Sequence, residues 1–216
     1  MLLELRRLTV PPGQRVLLEE VSWDEFERIL EDLGEHRAAR VAYDNGLLEI
    51  MTPLPEHEFS KESISDFVKA LLEELDIEFL PLGSTTFKNK LMLKGIEPDN
   101  CFYIKNEAAV RGKARLDLTI DPPPDLALEI DITSRTHPNM YEALGVPELW
   151  RFENGELQIN ILQPDGKYAR RERSRIFPDL PLMENLPKYV QKSKNIGRNK
   201  TMKLFRQWVR DSIVRN

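Results

Sequence analysis

A chain of 216 residues, 41% hydrophobic and 31% charged, is long enough to build one domain around a sizeable core. No apolar run is long enough to span a bilayer, and "MLLELRRLTV" lacks the apolar centre of a signal peptide. The lone cysteine, Cys101, rules out an internal disulfide framework, so the expected setting is a reducing cytoplasm away from membranes. The net charge of −5 hides an asymmetry: residues 167–216 hold 14 Lys/Arg against 4 Asp/Glu, a net +10, and the preceding 166 residues carry −15. A basic tail on an acidic body reads either as a nucleic-acid footprint or as a solvated helix face pairing with that body.

In chain order, residues 1–20 read as loose or extended. "SWDEFERILEDL" is a helix with Ser22 as N-cap and Phe26, Ile29, Leu30 and Leu33 at helical spacing. "RVAYDNGLLEIMTP" is a hairpin turning at Asn45-Gly46. "PEHEFSKESISDFVKALLEEL" is the clearest helix, with an apolar stripe of Ile64, Phe67, Val68, Leu71, Leu72 and Leu75. "IEFLPLGSTTFKN" and "EPDNCFYI" read as strands. Residues 105–124 are loop-rich and end in Pro122–Pro124, which sets an extended entry into the next strand. "THPNMYEAL" is a short helix with Pro138 in its first turn and Gly145 past its end. Residues 148–174 are a meander turning at Asn154-Gly155 and Asp165-Gly166. A final helix covers about 198–214, with Met202, Phe205, Trp208 and Val209 inward and Lys203, Arg206 and Arg210 on another face. This order predicts a single α/β (α+β) domain over 1–216, a mixed central sheet flanked by helices.

The stretch "DLALEIDITS" carries the chemistry. Leu126, Leu128, Ile130 and Ile132 alternate with Asp125, Ala127, Glu129 and Asp131, so one strand face is plain core and the other holds two acids about 7 Å apart. Buried paired acids repel unless a cation joins them. On a half-exposed sheet they are merely solvated. Asp99 opens the preceding strand, and an acid there with another inside the later strand forms an oxygen-ligand site for a hard cation. Such a site activates water and neutralises phosphate charge.

Pro98-Asp99 followed by Glu129-Ile130-Asp131 resembles the PD-(D/E)xK nuclease pattern. "CFYI", "PDLALEIDITS" and "YEALGVPELWRF" are similar to the bacterial Uma-two-type family of restriction endonucleases, over roughly residues 95–155. The resemblance implies a restriction-endonuclease-like three-layer fold and hydrolysis of DNA phosphodiester bonds. It implies Mg²⁺, with Mn²⁺ able to substitute, held by Asp99 and Glu129 with Asp131 and Glu58 in support, and a homodimer. The chain departs from the pattern where a lysine is expected. Asp131 occupies the strand position, and His137 falls near the position used on the following helix, where it serves either as a base or as an ordinary helix-start residue. The alternative function is therefore a degraded relative that binds nucleic acid or a protein without cutting.

Other candidates keep two readings. Glu58 is either a supporting ligand or, like Glu56, a carboxylate favouring the helix dipole. Asp125, roughly 13 Å along the strand from Glu129, is a strand-start cap. Tyr141 either orients groups at the site or fills the core. Lys203, Arg206 and Arg210 either contact phosphates or face the acidic body.

Overall fold

The computed structural model describes residues 8–34, 39–131 and 138–214, with the side chains of Leu91, Asp131 and Pro138 left out. The first strand, β1 (Arg15–Leu18), falls where no regular element was expected. Helix α1 (Trp23–Leu33) starts in a full capping box: Ser22 Oγ accepts from the Glu25 N–H, and Glu25 reaches back to the Ser22 N–H at 2.8 Å. The hairpin is β2 (Arg40–Asp44) and β3 (Leu47–Met51), with Asn45 and Gly46 both at positive φ as a tight turn requires.

That hairpin does not stand alone. With β1, β5 (Phe87–Asn89) and β6 (Lys94–Ile96) it forms a five-stranded antiparallel sheet in the order β1-β3-β2-β6-β5. The second sheet is mixed. Its order is β11-β10-β9-β8-β7-β4, where β4 is Leu80–Pro81, β7 Asn100–Tyr103, β8 Leu126–Asp131, β9 Glu148–Glu153, β10 Glu156–Leu162 and β11 Tyr168–Arg171. A short helix, α3 (Glu107–Val110), precedes β8, and only the β8–β9 pair is parallel, linked by the crossover that contains α4 (Pro138–Leu144). The expected α/β class with a mixed sheet flanked by helices is thus observed.

The alternation in β8 separates two cores. Leu126, Leu128 and Ile130 face the helical layer of α2 (Pro55–Glu74), α5 (Leu182–Ile196) and α6 (Arg198–Val214), among Phe67, Val68, Leu186 and Phe205. Ala127, on the other face, lies in a smaller cluster with Cys101, Tyr103 and Tyr141. Asp125 behaves as a cap: its Oδ2 accepts from the N–H groups of Ile104 and Asn106 at 2.7 and 3.0 Å. Glu148, fully buried at the head of β9, holds the Trp150 indole at 2.5 Å and the Arg175 N–H at 2.9 Å. Burial raises its carboxyl even though those donors pull it down.

The basic C-terminal region proves to be a counterpart of α2. Lys194 pairs with Glu56 at 2.9 Å and Arg198 with Asp66 at 2.6 Å. Arg206 reaches Glu73 and Glu74, and Arg210 forks onto Glu74 at 2.6 and 2.9 Å. Arg206 and Arg210 are therefore spent on the acidic body, while Lys203 is exposed. Among the described residues no helix is long and apolar enough to cross a membrane.

Candidate active site

Asp99 and Glu129 fall on facing positions because β7 and β8 are antiparallel. Asn100 opposes Leu128, so the next position outward sets Asp99 against Glu129. Asp99 is almost fully buried. Its Oδ2 accepts from the Ile130 N–H at 2.7 Å, which locks the carboxylate to the edge of β8. Glu129 is half-buried and accepts the hydroxyl proton of Tyr141, which α4 delivers from the opposite side. Burial first, then the negative charges of Glu129 and Asp99, push the Tyr141 hydroxyl well above its ordinary range. Tyr141 thus stays protonated as a donor to Glu129. It fills the core and orients a site carboxylate at once.

The first two turns of α2 close the site from the helical side. His57, 1% exposed, puts Nε2 3.0 Å from Asp99 Oδ2 and Nδ1 3.4 Å from Glu58 Oε1. Neither nitrogen has the alignment of a hydrogen bond. One turn on, Lys61 donates to Glu58 Oε2. A further turn on, Ser65 Oγ accepts from Asn100 Nδ2 at 2.7 Å. Positions 57, 61 and 65 share one helix face, so α2 is stitched to the start of β7 by His57–Asp99 and Ser65–Asn100, with the buried Lys61 between them. From the other sheet, the first residue of β2, Arg40, places Nε 4.0 Å from Asp99 Oδ1 and Nη2 3.9 Å from Glu58 Oε1. Burial tends to raise the Glu58 carboxyl. The bond and charge of Lys61, together with Arg40 and His57, outweigh that and hold it low.

The structure sets Arg40, His57 and Lys61, to which the sequence did not point, beside Asp99 and Glu58, and sets Tyr141 on Glu129. The first three come from two elements, β2 and α2, and match no acid-based pattern. The available signals were a histidine beside Glu58 and the i, i+4 spacing of 57, 61 and 65. Asp131 ends β8 in parallel register with Glu153, and its side chain lies outside the described residues, as does all of His137.

The donor chemistry suits a hard divalent ion. Asp99 and Glu129 supply carboxylate oxygens from facing strand ends, and Glu58 Oε1 is buried without a hydrogen-bond partner. Among the described residues, however, no three His, Cys, Asp or Glu side chains converge tightly enough to cage an ion. Any ion held here would take few protein ligands, with water and substrate oxygens completing its shell.

The family model described as Uma2, "Putative restriction endonuclease", matches residues 23–190. The chain belongs to the Uma2 family. Its matched span covers the hairpin, α2, Asp99, Glu129, Tyr141 and most of α5, so every described site residue lies within it. No curated protein matches the chain. Among solved structures it is similar to the crystal structure of a putative nuclease belonging to DUF820 from Anabaena variabilis ATCC 29413. That likeness has 12% identity, spans 70% of this chain and 85% of the other, and has a TM-score of 0.49.

Proposed function

We propose that this Uma2 protein is a Mg²⁺-dependent endonuclease acting on DNA, with Asp99 and Glu129 as the principal ligands and Glu58 and Asp131 in support. The observation that supports the reading is the register that sets Asp99 opposite Glu129 across β7 and β8, each carboxylate held by a donor from a different element. When bound, a divalent ion supplies a water of lowered pKa and neutralises charge on a phosphate. The chain's own residues do the rest. The Ile130 N–H and Tyr141 hydroxyl aim the two carboxylates, an arrangement whose loss typically costs 10- to 100-fold in metal sites. Lys61 and Arg40 bring positive charge to Glu58 and Asp99 and so offset the cost of gathering acids there.

Lys61 also bears on the missing motif lysine. With Asp131 at the strand position, Lys61 is the described lysine that α2 buries beside Glu58, and it stands in the reading as the cation next to the reacting phosphate. His137 remains a candidate base. Two copies acting on opposite strands would complete the picture as a two-fold dimer.

The test is cleavage of supercoiled and linear DNA with Mg²⁺ or Mn²⁺. Wild type is expected to cut in either ion and not in EDTA, and Glu129→Gln to lose at least about 100-fold in rate. A wild type that binds DNA but never nicks it under these conditions moves the conclusion to the second reading, a nuclease-fold protein that binds without cutting. The observation favouring that reading is the substitution of Asp131 for lysine.

A further inference from the structure

Arg40 faces two ways. Toward the interior it sits 3.9–4.0 Å from Glu58 and Asp99, too far for hydrogen bonds, and its Nε is buried with no hydrogen-bond partner. Toward the outside it lines a cleft of about 730 Å³ between α1, the Ser84–Thr86 segment and the 114–116 loop. A buried guanidinium donor left unmade is costly, and an acceptor brought by a ligand would satisfy it. Guanidinium forks fit the paired oxygens of a phosphate.

The charges lining the cleft balance, three carboxylates against Arg40, Lys88 and Arg115. Two of its carboxylates are already committed: Glu27 pairs with Lys88 at 2.7 Å, and Glu97 takes the Val41 N–H at 3.1 Å and the Thr86 hydroxyl at 2.5 Å. Arg115 is exposed on the rim, and Ser84 and Thr85 lie on the wall. Glu31, on the exposed edge of α1, opposes them. The volume is that of a ligand site, about 300–1,000 Å³.

We propose that this cleft is the path by which a DNA strand reaches the carboxylates, with one backbone phosphate docking on Arg40 and the flanking backbone on Arg115. The proposal rests on the nuclease reading for its substrate but makes a separate claim about binding. Arg40 would shift from its loose contacts with Asp99 and Glu58 to the phosphate, which places that phosphate next to the site.

The experiment measures binding of a fluorescent 20-base-pair duplex by anisotropy in EDTA, across a salt series, so that no metal or cleavage enters. Arg40→Ala is expected to weaken binding about tenfold and to lower the salt slope by about one. Arg115→Glu, on the exposed rim where folding is not at risk, should weaken it several-fold. Lys203→Ala, far along α6, should bind as wild type. Arg40→Ala and Arg115→Glu proteins that bind like wild type would overturn the cleft. So would a weakened Lys203→Ala with both cleft variants unaffected, a mononucleotide that binds as tightly as the duplex, or wild type that binds no DNA at all. Cleavage by wild type with normal binding by both cleft variants leaves the nuclease reading intact and removes only the path. Binding that depends on Arg40 without cleavage does the reverse.

Discussion

Helix α2 meets opposite charge at both ends, and the two ends are built differently. In the last turn, Glu73 and Glu74 face Arg206 and Arg210. Four bonds of 2.5–2.9 Å tie the set together, and the Glu74 carboxyl is held down to about 2 by the forks of Arg210 and Arg206. In the first turns, His57, Glu58 and Lys61 meet Arg40 and Asp99. There Arg40 Nε, both His57 nitrogens and Glu58 Oε1 are buried without hydrogen bonds. One end is a satisfied surface clasp. The other is charged, buried and incomplete. Unmade bonds among buried polar groups destabilise a fold, and strain of that kind concentrates where a ligand completes the set.

The comparison breaks most visibly at Asp99. Removing one member of a buried charge set leaves the others uncompensated, at a cost of about 3 kcal/mol. Asp99→Ala strips the partner from Arg40, His57 and the Ile130 N–H together. It should lower the melting temperature by about 6–12 °C for a chain of this length. Asp99→Asn keeps an acceptor for the Ile130 N–H and should lose less. A calorimetric scan in which Asp99→Ala melts with wild type would mean that the incomplete end holds nothing together.

Next in size is the response to metal. An ion that binds only the folded state with a Kd near 1 mM stabilises it by about 1.4 kcal/mol at about 10 mM, or roughly 3–6 °C. Wild type should show that rise with Mg²⁺ and Mn²⁺ but not with NaCl matched in charge. Glu129→Gln should lose most of it. Its Tyr141 hydroxyl still finds an amide oxygen, so the loss would report on the ion rather than on a disrupted core. Equal rises in both proteins would show that the carboxylates of β8 bind no ion.

The contrast between the two ends also explains what was legible in the sequence. Period-two alternation in β8 and the stripe of α2 are local signals, and both elements appear where expected, as do α4 and α6. Asp99 and Glu129 stood out because an acid at the start of one strand and two acids within a later one resemble a known motif. Strand β1 was missed because "RVLL" alternates over only four residues and is held by its partner β3. Helix α5 was missed because Pro187 breaks its pattern, at the cost of one backbone bond that packing of Leu186 and Val190 offsets. The basic face of α6 suggested phosphates, yet the acids that claim it lie about 130 residues earlier. Arg40 and His57 follow the same rule: a cation's role depends on which element folds against it, and sequence spacing does not carry that.

The smallest effect belongs to the satisfied end. Exposed ion pairs contribute little, typically under about 1 kcal/mol even as forks, so Arg210→Ala should shift the melting temperature by no more than about 2–4 °C at neutral pH. Its signature lies in acid. The Glu74 carboxyl has a folded pKa depressed from 4.5 to about 2. A depressed acid contributes stability that is fully present above its unfolded value and is lost as pH falls through the folded one. The clasp's contribution should therefore be flat above about pH 5 and drain away between 4.5 and about 2. Arg210→Ala moves the folded pKa back toward 4.5 and so flattens the decline across that window. Wild type and variant should then converge in stability near pH 2, having differed at pH 7. Urea melts at pH 7, 4 and 2.5 measure this directly. A gap between the two proteins that stays constant from pH 7 down to 2.5 would mean that Arg210 acts through its packing on α2 and not through the charge of Glu74.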